Sequence, residues 1–101
     1  SRVRIRYQPG QAPVIPVRIQ EMFGQGSTPC VADGRVPLVV ELLSPAQRPL
    51  QITADLAAFW AGSYEQVKKE MKGRYPRHYW PDNPLEAMPT RVTKKKMGLQ
   101  E

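Results

Sequence analysis

A run of cations interleaved with flat rings is the clearest chemical signal in the sequence. Lys68, Lys72, Arg74, Arg77 and His78 are mixed with Tyr75, Tyr79 and Trp80, and Lys94-Lys95-Lys96 adds a second basic cluster downstream. Cations neutralise phosphates and aromatic rings stack on unpaired bases, so this mixture suits a single-stranded nucleic-acid surface. The candidate contacts are Lys68, Lys72, Arg74, Tyr75, Arg77, His78, Trp80, Lys94, Lys95 and Lys96. A plainer reading stands beside this one. Tyr and Trp next to prolines also pack back on their own domain with their polar tips wet. Phe59 and Trp60 suit that second reading better, as core residues.

Catalytic chemistry finds little support. The single histidine and single cysteine exclude the common zinc clusters. A Cys30/His78 nucleophilic pair has no orienting group beside either residue, and Cys30 reads as a small core residue. Asp82 and Glu86 could form a carboxylate pair, yet an Asp-Asn-Pro turn accounts for Asp82. No GxxxxGK[ST] loop is present, and Gly24-Gln25-Gly26 is too short to carry meaning. No catalytic residue, cofactor site or metal site is expected within the chain.

The elements must come from a chain of 101 residues, 41% apolar and 24% charged, which fits one globular domain. No apolar run approaches the roughly 20 residues of a membrane span, so no membrane partner is expected. The lone Cys30 excludes an internal disulfide and favours a reducing, cytoplasmic setting. The chain begins at Ser1 without a signal peptide and looks like a portion of something longer. Net charge is +6 and the isoelectric point about 9.8, a balance that suits an anionic partner. The charge is uneven: residues 1–60 carry a net +2 and residues 61–101 a net +4. Eleven prolines, more than twice the roughly 5% average usage, predict short elements joined by loops.

Arg2 to Tyr7 alternates basic and apolar residues, the period of a strand with Val3, Ile5 and Tyr7 facing the core. Its arginines read either as a phosphate-facing strip or as a solvated, charged edge. Between Pro13 and Gly24, Ile15, Ile19, Met22 and Phe23 recur at helical spacing, with Gly24 as a stop. A short helix is expected there, since a strand would lose a ladder donor at Pro16. Pro29-Cys30-Val31 reads as a short strand before an Asp33-Gly34 hairpin turn. The apolar run Arg35 to Leu43 reads as a central strand buried on both faces, in which Glu41 needs solvent or a basic partner. Leu50 to Thr53 reads as a third strand, giving a meander to which the first strand adds.

Asp55 or Thr53 caps the helix that follows, with Leu56, Phe59 and Trp60 on one face. A break is expected at Gly62-Ser63, because an interior glycine costs a helix about 1 kcal/mol. Ser63 and Gln66 match a capping box for a second helix. Tyr64, Val67 and Met71 form its stripe, Glu65 and Lys69 an exposed ion pair, and Gly73 its stop. Three X-Pro steps at Pro76, Pro81 and Pro84 then bias the chain to extended conformations. The expected fold is α+β: a small antiparallel sheet of about four strands, two to three short helices, an extended Pro/aromatic segment and a basic tail. Residues 1–88 form the domain and 89–101 a flexible tail.

Several stretches resemble one family. LLSPAQRPLQIT (42–53), DLAAFWAGSY (55–64), VKKEMKGRYPRHYWPDNP (67–84) and PVRIQEMFG (16–24) are similar to the C-terminal domain of the HrpB family of bacterial DEAH-type RNA helicases. PTRVTKKK (89–96) looks like that family's basic ending. The resemblance spans nearly the whole chain, and GRYPRHYWPDNP is its most distinctive part. Arg6 departs from it, standing where an acidic residue is expected before the tyrosine. The resemblance implies a non-catalytic fragment of an ATP-dependent RNA helicase. ATP and Mg would bind in two RecA-like domains upstream, followed by winged-helix, helical-bundle and OB-like parts. None of the family's catalytic residues has a counterpart here. Two roles follow: an accessory domain contacting single-stranded RNA or DNA, or a module docking on other domains of the parent helicase or on another protein.

Overall fold

The computed structural model describes residues 5–31 and 36–99. Among the described residues five strands form two sheets. Strand β1 (Val14–Arg18), β4 (Val39–Leu43) and β5 (Pro49–Thr53) make a three-stranded sheet in the order β1-β4-β5. Strand β2 (Cys30–Val31) and β3 (Val36–Pro37) pair separately as a two-residue antiparallel hairpin. The Asp33-Gly34 turn expected between them lies outside the described residues.

The sheet corrects the expected four-stranded antiparallel arrangement. β4 and β5 do run antiparallel, but β1 lies parallel to β4, with Val14 opposite Val39 and Arg18 opposite Leu43. The helix expected from Pro13 to Gly24 is this strand followed by a 3-10 turn over Ile19–Met22. Pro16 is tolerated for a geometric reason. Val14 exchanges both of its backbone hydrogen bonds with Arg6, so the polar groups of Val14 and Pro16 point away from β4. The donor missing at Pro16 is therefore one the β4 ladder never needed.

The long strand expected at 35–43 is divided: the Leu38 amide continues the β2–β3 pairing to the Pro29 carbonyl at 2.9 Å, and Val39 then donates to the Pro13 carbonyl beside β1 at 2.8 Å. β4 is central as expected but not buried on both faces. Val40 and Leu42 are fully buried, while Val39, Glu41 and Leu43 are only half-buried. Arg6 is the basic partner of Glu41, 3.0 Å away. Tyr7, expected in the core, is 68% exposed. Arg2, Val3 and Arg4 lie outside the described residues.

Two helices cover the sheet. Helix α1 (Leu56–Ala61) is capped by Asp55, whose carboxylate accepts from the Ala58 amide at 3.0 Å. Helix α2 (Tyr64–Arg74) begins after the Gly62-Ser63 break, at the expected place. The capping box is not made: Ser63 already has helical angles, φ −62° and ψ −26°, so its side chain is not aimed at the orphan amides. The helix also outruns Gly73, ending at Arg74. Leu56, Phe59, Trp60, Tyr64 and Met71 join Ile19, Met22, Phe23, Val40 and Leu42 in one core. Phe23 is its hub, with the rings of Trp60, Tyr64, Tyr79 and Trp80 centred 6.0–6.4 Å away.

Beyond α2 the proline-rich run folds back instead of extending. It turns at Tyr75–His78, forms a 3-10 turn at Pro84–Glu86, and ends in helix α3 (Lys94–Met97). Residues 84–94 are tied to the body by four contacts. Gly24 donates to the Pro84 carbonyl at 2.8 Å, Thr90 to that of Gln20 at 3.0 Å, and Lys94 to that of Arg77 at 2.7 Å. Arg91 forms an ion pair with Glu21.

Candidate nucleic-acid interface

The ten candidate contact residues separate into an inner and an outer group. Lys68 and Trp80 are inner. The Lys68 side chain is 8% exposed, with its ammonium 2.8 Å from Asp82 and 3.0 Å from Glu65. This replaces the expected Glu65–Lys69 pair: Lys68, not Lys69, turns toward the returning aromatic segment. Hydrogen bonds donated to Asp82 and then to Glu65 raise the Lys68 pKa, and the same contact holds Asp82 below the ordinary carboxylate range, with Lys72 adding to it. Asp82 is therefore an ion-pair partner of α2 as well as a turn residue. Trp80 is buried, and its indole N–H donates to the Tyr75 carbonyl at 2.9 Å. Lys68 ties the aromatic run to α2, and Trp80 closes the run on itself and on Phe23.

Tyr64 also ties the run to α2, while Trp60 ties α1 to the connector at Gln25. The Tyr64 hydroxyl donates to the Pro81 carbonyl at 2.6 Å, and Trp60 donates to the Gln25 carbonyl at 2.7 Å. Burial, reinforced by Asp82 and Glu65, pushes the Tyr64 phenol well above its usual pKa. Trp60 and Phe59 are thus core residues, as the plainer reading had it.

The outer group converges. Arg74 ends α2, and Tyr75, Pro76, Arg77 and His78 form the turn that follows. Together with Thr93 they line an open groove of about 330 Å³. The Lys94–Arg77 backbone bond sets the lysine triplet of α3 beside this groove, with Lys95 and Lys96 exposed. Lys72 is exposed one turn back on α2, where its charge also suits the helix C-terminus. Arg74 has a long, exposed contact to Glu70 at 3.6 Å, of the kind that contributes little and exchanges readily.

Tyr75 is set by the sheet. Its hydroxyl shares a 3.2 Å hydrogen bond with the buried Ser44 hydroxyl, which also accepts from the Arg48 amide in the β4–β5 turn. The Tyr75 and His78 rings meet edge to face, centroids 6.4 Å apart. Burial, and then the nearby Arg18 guanidinium, holds His78 below its usual pKa, so the ring is neutral near pH 7. His78 Nδ1 and Arg18 Nε are both buried without a hydrogen-bond partner. Arg18 and Thr93 were missed from sequence. They sit 60 and 15 residues from His78 in the chain, and only the parallel strand and the returning segment bring them near.

Among the described residues no group of three His, Cys, Asp or Glu could hold a metal ion, and no helix is long and apolar enough to cross a membrane. Cys30 is exposed, not a core residue, which corrects that expectation.

Residues 1–84 match a family model described as the C-terminal domain of ATP-dependent helicases of the HrpB type. The chain is 63% identical over 95 residues to the ATP-dependent RNA helicase HrpB of Escherichia coli K12, covering 94% of this chain and 12% of that protein. A crystal structure of the E. coli DExH-box NTPase HrpB superposes with a TM-score of 0.85 at 62% identity, over 92% of this chain and 12% of the other. A second structure, of the E. coli DEAH/RHA helicase HrpB, superposes at 0.57 and 60% identity over 79% of this chain and 10% of that one. The chain thus spans about an eighth of the length of these relatives.

Proposed function

The chain belongs to the HrpB helicase C-terminal family, and from that membership we propose that it is a non-catalytic accessory domain that helps an ATP-dependent RNA helicase hold single-stranded nucleic acid. The observation that carries this reading is the convergence of Arg74, Arg77 and the Lys94–Lys96 triplet on one side of the fold, around the half-buried rings of Tyr75 and His78. Exposed cations supply phosphate contacts and flat rings supply stacking, without any demand on sequence. Lys68 and Trp80 act from inside, holding that surface in shape. ATP and Mg would be bound by other domains of the parent, in the cytoplasm.

A docking role is the second reading. Leu85 and Met88 are exposed, 48% and 74%, on the segment that packs against Gly24, an apolar edge suited to a neighbouring domain of the same helicase. Titrating the chain with labelled single-stranded and duplex RNA at low salt tests the proposal. Single-strand binding is the expected result. Absence of RNA binding, with capture of the chain by a parent helicase lacking it, transfers the role to docking.

A further inference from the structure

The groove at the end of α2 combines features that a general basic face does not need. Its six lining residues include two guanidinium groups, Arg74 and Arg77, and no carboxylate. Tyr75, Pro76 and His78 give it a largely apolar floor. Its volume, about 330 Å³, lies at the small end of the roughly 300–1,000 Å³ typical of ligand sites. That suits one small planar group better than an element of folded protein. The floor is also fixed in place. Tyr75 is tied to Ser44 through its hydroxyl, its carbonyl accepts from both Trp80 and the His78 amide, and the far wall is held by the Lys94–Arg77 bond.

We infer that this groove seats a single nucleotide of single-stranded RNA, with its base against Tyr75, Pro76 and His78 and its phosphate on the Arg74 and Arg77 guanidinium groups. The inference rests on the nucleic-acid reading above and sharpens it to one site. Guanidinium forks match phosphate oxygens bidentately, and the loose Glu70 contact leaves Arg74 able to exchange partners. His78, neutral near pH 7, offers a ring that packs on a base without an added charge to desolvate. Lys94, Lys95 and Lys96 lie beside the groove, where the next phosphates of an extended strand would pass.

The test follows the His78 and Tyr75 ring resonances of the full chain while a short oligouridylate, adenosine monophosphate or an oligoglutamate peptide is added. The two nucleotide probes are expected to shift both rings and the peptide to leave them unchanged. Arg77→Ala and His78→Ala are each expected to weaken oligouridylate binding about tenfold. Arg77 is exposed, so its variant still reports on the groove if removing His78 unfolds the chain. Equal shifts with the acidic peptide would overturn the inference. So would unchanged affinity in Arg77→Ala together with a loss in a Lys94–Lys96 alanine variant, a result that keeps RNA binding but moves it off the groove. No binding of any RNA overturns both readings.

Discussion

The Lys68 ammonium lies 2.8 Å from the Asp82 carboxylate and clamps the returning aromatic segment to helix α2. The pair has a consequence for pH. Asp82 is held below the ordinary carboxylate range, so its contribution is present above the unfolded value of about 4 and is lost as pH falls through the lower folded value. Lys68 is raised, so its contribution is complete below about 10.4 and is lost as pH rises through the folded value. Urea midpoints measured across pH should fall at both extremes. Asp82→Asn should flatten the acid limb. Because Asp82 is largely exposed, added salt should weaken the effect.

The buried aromatics should behave as structure. Trp80→Ala is expected to cost about 3–5 kcal/mol, the usual range for truncating a buried large ring. Tyr64→Phe removes the hydroxyl that donates to the Pro81 carbonyl and is expected to cost about 1–3 kcal/mol. Denaturant unfolding followed by tryptophan fluorescence measures both. A Trp80→Ala variant that keeps full stability but loses RNA affinity would move Trp80 to the contact surface.

Gly24 is the tight point under the C-terminal segment. Its φ is +85°, and a Cβ there would stand 2.9 Å from the Ala87 carbonyl oxygen. Gly24→Ala combines a left-handed strain of about 1–2 kcal/mol with that clash. Thermal unfolding should register a loss of about 2 kcal/mol, equivalent to about 4–8 °C for each kcal/mol. The Gly24–Pro84 hydrogen bond, 2.8 Å long, should exchange faster in the variant.

What was legible in the sequence was mostly local. The Gly62-Ser63 break and the Asp55 cap depend on the chain within a few residues, and both are where the pattern put them. Val14 to Arg18 is a strand although its apolar spacing fits a helix and Pro16 argues against a ladder. A distant strand, β4, decides the matter by pairing on the side where proline has nothing to donate. The same limit hid the groove. Arg74 to His78 was visible as a cation–aromatic run, but Thr93 and the lysine triplet reach it only through the Lys94–Arg77 backbone bond. Lys68 looked like a free cation because its partner Asp82 lies fourteen residues away.

If the outer cations contact phosphates, the salt dependence of single-strand RNA affinity reports it most directly. If about five phosphates are neutralised, log affinity should fall against log salt with a slope near −3.5. Replacing Lys94, Lys95 and Lys96 by alanine should bring the slope to about −1.4. A wild-type chain that binds no single-stranded RNA at low salt, or one whose slope the triple substitution leaves unchanged, would contradict phosphate contact by these cations.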